Sequence, residues 1–169
     1  MAHLLHRLLE TEMERPLANP IPAGLHSLTP QLVVDGAAEA IEFYKKAFGA
    51  EETERSLDPD GKRIWHATVR IGNSAFYVND TIAEMGGKPV TANLWLYVNG
   101  IDAAFKRAVD AGATVTMPLT DTFWGDRTGS VADRWGNTWN IAQRMKDLTP
   151  AQMTEAQDQF VASQAKTRR

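Results

Sequence analysis

From residue 28 onward the chain alternates apolar and polar side chains in short runs, and two longer runs break that period. Residues 28–34 (LTPQLVV) read as a strand that ends at Asp35-Gly36. Residues 37–48 place Ala40, Ile41, Tyr44, Ala47 and Phe48 on one helical face, and Gly49 stands in the C-cap position. A strand over 51–57 leads to the turn Asp58-Pro59-Asp60-Gly61. Strands over 62–71 and 74–79 follow, joined by Gly72-Asn73. The same order then recurs: a strand over 92–98 ending at Asn99-Gly100, a helix over 101–111 closed by Gly112, and strands over 114–117, 124–132 and 138–144. Val34-Asp35-Gly36 with Phe48-Gly49-Ala50 is echoed by Val98-Asn99-Gly100 with Ala111-Gly112-Ala113, an internal repeat.

Both ends lie outside the repeat. Leu4, Leu5, Leu8, Leu9 and Met13 give residues 3–15 one apolar stripe, so a short helix is expected there. Such a helix is marginal alone and must dock on its own chain or on a neighbour. Pro16, Pro20 and Pro22, with Asn19 and Gly24, make a linker. After Lys146, Thr149 and Pro150 start a last helix that frays toward Lys166, Arg168 and Arg169. The organisation expected is an N-terminal helix and linker over 1–25, a central domain over 26–146 with halves 26–82 and 91–146, and a C-terminal helix over 147–169. The class is α+β, two βαβββ modules forming paired curled sheets with extra terminal helices.

Strand alternation predicts which side chains share the face away from the helices: Thr29, Gln31, His66, Tyr77, Asn79, Asn93, Trp95, Tyr97, Thr138 and Asn140. Trp65, Ala67, Val69 and Ile71 are expected on the opposite, helix-facing side. The stretch 123–143 holds three of the five tryptophans, with Trp124-Gly125-Asp126-Arg127 at its start and Asp133 to Asn137 turning into the final strand. An aromatic, amide-rich face with little charge suits a planar, mostly uncharged ligand held by stacking and a few hydrogen bonds. The alternative is that these aromatics fill the cup as packing or as a dimer contact.

Composition narrows the chemistry. A formal net charge of -3 over 169 residues leaves no basic footprint for nucleic acid. With no cysteine there is no thiolate nucleophile and no disulfide framework. No run approaches the ~18 apolar residues of a membrane span, and Glu10, Glu12 and Glu14 interrupt the N-terminal leucines, unlike a secretory leader. A cytoplasmic location is expected. His66 is the best titratable candidate for a general acid or base near neutral pH, or else a histidine that hydrogen-bonds a neighbouring strand. Asp126 and Arg127 offer a carboxylate and an anion-binding fork, or else a salt bridge bracing their turn. His3 and His6 could hold a surface ion but lack a third ligand. Ser56, Ser74 and Ser130 occur without a nucleophile elbow, and Gly86-Gly87-Lys88-Pro89 lacks the spacing of a phosphate loop.

The doubled strand-helix-strand-strand-strand unit resembles the vicinal oxygen chelate superfamily of glyoxalases, bleomycin-resistance proteins and extradiol dioxygenases. Pro30 to Val34 with Ala40-Ile41-Glu42-Phe43-Tyr44, then Ala47 to Ala50, Trp65-His66-Ala67 and Phe123 to Arg127, are similar to its PhnB-like branch over about residues 27–144. The resemblance implies modules curled into cups that enclose the site, and a homodimer. It also carries four metal-ligand positions onto Thr29, Tyr77, Asn93 and Asn140. None is His, Asp or Glu, so a metal-free branch without a cofactor is implied. The expected ligand-binding set is Gln31, Tyr77, Asn93, Trp95, Tyr97, Trp124, Arg127 and Asn140. The leading expectation is a small-molecule-binding protein. The alternative is a metal-free enzyme using His66 with help from Asp126 or Tyr77, and a metal-dependent lyase or dioxygenase stands third.

Overall fold

The computed structural model describes residues 19–167, so the helix expected over 3–15 and its histidine pair lie outside the described residues. The first module runs β1 (Gln31–Val34), α1 (Ala37–Phe48), β2 (Glu51–Leu57), β3 (Ile64–Ile71) and β4 (Ser74–Asp80). The second runs β5 (Asn93–Tyr97), α2 (Ile101–Asp110), β6 (Thr114–Asp121), β7 (Asp126–Ala132) and β8 (Thr138–Arg144). A helix α3 (Pro150–Thr167) closes the chain. Each module folds its strands into a four-stranded sheet, ordered β1-β4-β3-β2 and β5-β8-β7-β6, in which only the first strand pairs parallel. No helix among the described residues is long and apolar enough to cross a membrane.

The repeat extends to the way each helix begins. Gly36 and Gly100 both adopt left-handed backbone, at φ 88° and 71°, where a side chain would be strained. The amides of Gly36 and Ala37 donate to Asp80 Oδ1 at 2.9 and 2.8 Å, satisfying donors the first turn leaves unpaired. Asp80 Oδ2 accepts from the Ile64 amide at 2.7 Å, so one buried carboxylate joins β4, α1 and the start of β3. In the second module the Ile101 amide donates to Gln143 Oε1 at 2.9 Å. Val34 lies beside Asp80 and Tyr97 beside Ala142. This register makes Thr29 equivalent to Asn93, and Tyr77 equivalent to Asn140.

The two modules share one core. Leu32, Ile41, Val69 and Val78 of the first merge with Ile101, Val131 and Ile141 of the second in a single buried cluster. Rings form the seam: Trp139 lies 4.5 Å from Phe48 and 5.2 Å from Tyr44, centroid to centroid. Beneath it, buried Asp133 accepts five hydrogen bonds. Oδ2 takes Tyr44 Oη at 3.0 Å, Asn137 Nδ2 at 3.0 Å and Trp139 Nε1 at 3.1 Å. Oδ1 takes the amides of Trp135 at 3.0 Å and Asn137 at 2.9 Å. Burial, and then the Asp133 charge, push the Tyr44 phenol far above the usual tyrosine range.

Three expectations are corrected. Trp65 does not face the helix side: β3 advances two residues, Ile64 to His66, while β2 advances one, and this bulge leaves Trp65 43% exposed with Ile64 buried in its stead. The sixth strand continues to Asp121 rather than stopping at residue 117. It is an edge strand, where Pro118 is tolerated, and its register slips between Met117 and Thr120. The seventh begins at Asp126, so Trp124 sits in the preceding turn with left-handed Gly125. Outside the sheets, α3 opens on a reciprocal cap: the Gln152 amide donates to Thr149 Oγ1 at 3.3 Å and the Thr149 amide to Gln152 Oε1 at 2.9 Å. Along α3, Phe160 packs 5.1 Å from Phe123.

Candidate ligand-binding site

The structure divides the expected site residues between the two sheets. On the first, Gln31 lies beside Tyr77, and Tyr77 opposite Thr68. The same pleat brings His66 to Tyr77, with ring centroids 4.4 Å apart. Gln31 Nε2 donates to Asn79 Oδ1 at 2.6 Å, and Asn79 Nδ2 to the Asp80 carbonyl at 3.0 Å. Among the described residues the His66 ring, the Tyr77 hydroxyl and Gln31 Oε1 have no hydrogen-bond partner. This half of the site therefore keeps polar valences to offer.

On the second sheet, alternation along β5 places Asn93, Trp95 and Tyr97 in one row. Trp95 and Tyr97 are 52% and 55% exposed, and their rings stack at 6.4 Å and 27°. Asn140 Nδ2 donates to Asn93 Oδ1 at 2.5 Å and to the Leu94 carbonyl at 3.1 Å, while its Oδ1 accepts from Ser130 Oγ at 2.7 Å. Asn140 is thereby committed, whereas Asn93 Nδ2 has no partner among the described residues. A groove of about 430 Å³ borders this row, lined by Leu28, Ile71, Phe76 and Trp139 as well as Trp95 and Tyr97.

Behind the row stands Asp126, only 2% exposed. Its Oδ2 accepts from Tyr97 Oη at 3.0 Å and from Trp124 Nε1 at 3.1 Å. Arg144 Nε lies 3.0 Å from Oδ1, an ion pair whose alignment falls short of a hydrogen bond. The bond to Asp126, and then burial, hold the Tyr97 phenol above its ordinary range.

Arg127 is not part of this face. Its guanidinium reaches Asp102 on α2 at 2.8 Å and Asp121 at 3.0 Å, and the bond to it holds the Asp102 carboxyl below the usual range. Asp126 and Arg127 thus make separate pairs, since neighbours on a strand point to opposite faces. Nor does any hydrogen bond join His66 to Asp126, which sit on different sheets. Trp124, in the turn, commits its indole N–H to Asp126. The part played by Arg144 was legible only from its parity with Thr138, Asn140 and Ala142 on β8.

Many members of the superfamily this chain resembles hold a divalent metal, and the equivalent positions here test that chemistry. Thr29 turns its hydroxyl back to the His26 carbonyl at 3.1 Å, Tyr77 packs on His66, and Asn93 and Asn140 bond to each other. Neutral hydroxyls, a phenol and carboxamides do not fit a divalent cation that wants carboxylate or imidazole. Among the described residues no group of three or more His, Cys, Asp or Glu is placed to hold a metal ion.

Relatives in sequence and in structure agree with this architecture. An uncharacterised protein of Mycobacterium bovis is 45% identical over 133 residues, covering 72% of this chain and 86% of its own length. An uncharacterised Arabidopsis thaliana protein is 32% identical over 125 residues, covering 66% of this chain and 74% of its own. Among solved structures, TioX from Micromonospora sp. ML1 superposes with a TM-score of 0.60 at 24% identity, over 70% of this chain and 98% of that one. The PhnB protein from Bacillus cereus gives 0.57 at 21% identity, over 70% and 99%. Residues 24–141, which include both modules up to the middle of β8, match the profile of one family, and the chain belongs to the glyoxalase/bleomycin resistance protein/dioxygenase superfamily.

Proposed function

We propose that the protein binds a planar, largely uncharged small molecule on its aromatic and carboxamide face, without a metal and without transforming it. The observation that carries this reading is the stacked, half-exposed pair Trp95 and Tyr97 beside the free amide of Asn93. Large apolar rings left open beside an apolar groove are costly in water unless something planar covers them. The test is titration with a panel of fused-ring compounds, followed by calorimetry. Trp95→Ala is expected to weaken the best binder about tenfold or more, and equal affinity in the variant would sink the reading. Metal analysis after incubation with Ni, Mn, Fe or Zn is expected to find no stoichiometric uptake.

A second reading, metal-free acid–base catalysis, is favoured by one observation: the His66 ring rests on Tyr77 with its nitrogens uncommitted. His66→Ala separates the two readings, because a binder loses little while a proton-transfer enzyme loses orders of magnitude in rate. A homodimer is also proposed, resting on the family resemblance and on exposed apolar groups such as Leu28 and Val161. Deleting residues 1–22 is expected to weaken it, read as solution mass at low concentration.

A further inference from the structure

We infer that Tyr97 meets the ligand as a hydrogen-bond acceptor, so that the ligand of the proposed cup carries an uncharged N–H or O–H donor at one edge of its ring system. The inference rests on the binding reading above and specifies its chemistry.

A phenol has a single proton to give. In this structure Tyr97 gives it to Asp126 Oδ2 at 3.0 Å. That carboxylate is held from several sides. The Trp124 indole donates to the same oxygen at 3.1 Å, and the Asp126 amide donates to Thr122 Oγ1 at 3.2 Å. An ionised carboxylate only accepts, so it cannot return a donor to Tyr97. The depth of its burial, with 2% exposed, fixes its place. The Arg144 guanidinium also faces the Tyr97 oxygen from the protein side. What remains beyond that contact is lone-pair density, on a residue half open to solvent and lining the groove.

The charge of the donor follows from Arg144. Its Nε stands 3.0 Å from Asp126 Oδ1, so the pair behind Tyr97 is neutral as a unit. A cation over Tyr97 therefore gains no unbalanced field, and a neutral donor is spared the cost of desolvating a charge. At the other end of the row Asn93 Nδ2 is a donor without a partner among the described residues. Four residues of strand separate Asn93 from Tyr97, about 13 Å at ~3.3 Å per residue. The row thus reads donor, indole platform, acceptor, and its complement is a fused-ring molecule with an acceptor at one end and a donor at the other.

The test compares hydroxynaphthalene with its methyl ether, which share the ring system and differ in the donor. Wild-type protein is expected to bind the hydroxyl compound roughly three- to tenfold more tightly, the worth of one neutral hydrogen bond. Tyr97→Phe is expected to bring that ratio to about one. Asp126→Ala frees the phenol proton to turn toward the groove, so the ratio falls or inverts in favour of the ether. An inversion is a readout which simple loss of packing does not produce, and a ratio unchanged from wild type in a folded Asp126 variant counts against the inference. Should the Asp126 variant fail to fold, as judged by circular dichroism, the Tyr97 variant alone decides. Equal binding of the two probes to wild type, or a preference that survives in Tyr97→Phe, overturns the inference while leaving the cup standing. If neither probe binds wild type, the binding reading falls and takes the inference with it.

Discussion

Replacing Asp133 by asparagine changes one atom in a side chain that five donors surround, and its cost can be worked from the geometry. Oδ1 accepts two backbone amides and Oδ2 accepts the Tyr44 hydroxyl, the Asn137 amide group and the Trp139 indole. A carboxamide has one acceptor oxygen, so its NH₂ must face either the pair or the trio. The better choice keeps three bonds and sets a donor against the amides of Trp135 and Asn137. Each buried donor left unpaired costs about 1–3 kcal/mol. The loss is therefore about 2–6 kcal/mol, set against a typical domain stability of roughly 5–15 kcal/mol. Tyr44→Phe removes one of the five bonds, together with the bond that Asn137 Nδ2 donates to the hydroxyl at 3.3 Å, for the loss of a single oxygen atom, and is expected to cost about 1.5 kcal/mol. Urea denaturation followed by tryptophan fluorescence and by circular dichroism measures both. The double variant is expected to lose less than the sum, because the two changes share a bond. A loss below about 1 kcal/mol for Asp133→Asn refutes the assignment of this carboxylate as a five-bond acceptor that fixes the turn into β8.

Further outcomes follow from other features of the chain. Gly125→Ala is expected to destabilise by about 2 kcal/mol or more, since φ is +92° and a Cβ would stand 2.5 Å from the Lys146 carbonyl oxygen; thermal unfolding reads it. Asp80→Ala leaves the amides of Gly36, Ala37 and Ile64 without their acceptor and is expected to cost about 3 kcal/mol, while Asp80→Asn, which keeps one oxygen, costs less. The Tyr97 phenol is raised by its bond to Asp126, so the folded protein favours its protonated form. Its contribution to stability is complete below the unfolded tyrosine value near 10 and is lost as pH rises above it. Denaturation midpoints across that alkaline window should fall less steeply in Tyr97→Phe than in wild type, and identical slopes would count against the bond.

Patterns of short range could be read before any coordinates. The bounds of α1 follow from its apolar stripe and from Gly36 and Gly49 on either side, and the doubled order of strands follows from turn residues. What the pattern hid was set by contacts between distant positions. A one-residue bulge turned Trp65 outward, and nothing in residues 62–71 marks it. The sixth strand runs on through Pro118 because an edge strand tolerates the missing amide, a placement that depends on the sheet order and not on residues 114–117 themselves. In the site, the row Asn93, Trp95 and Tyr97 was legible from alternation. The partners of the Trp-Gly-Asp-Arg turn were not, because Tyr97 and Arg144 reach Asp126 from 29 and 18 positions away. Asp133 was legible only as a turn residue, for the same reason: it meets Tyr44 across 89 residues.

The ring contacts between Phe48, Tyr44 and Trp139 interlock the halves of the molecule. Domains that close on a ligand by rocking need a loosely joined boundary with a pivot. Here the boundary is filled by rings in mutual contact within one buried cluster, so the binding proposed above is expected to leave the spacing between the two sheets unchanged. On that proposal, selectivity is expected to come from a fixed template and from swings of individual side chains at its rim, with adaptation to a larger guest falling to Leu28, Trp95 and their exposed neighbours.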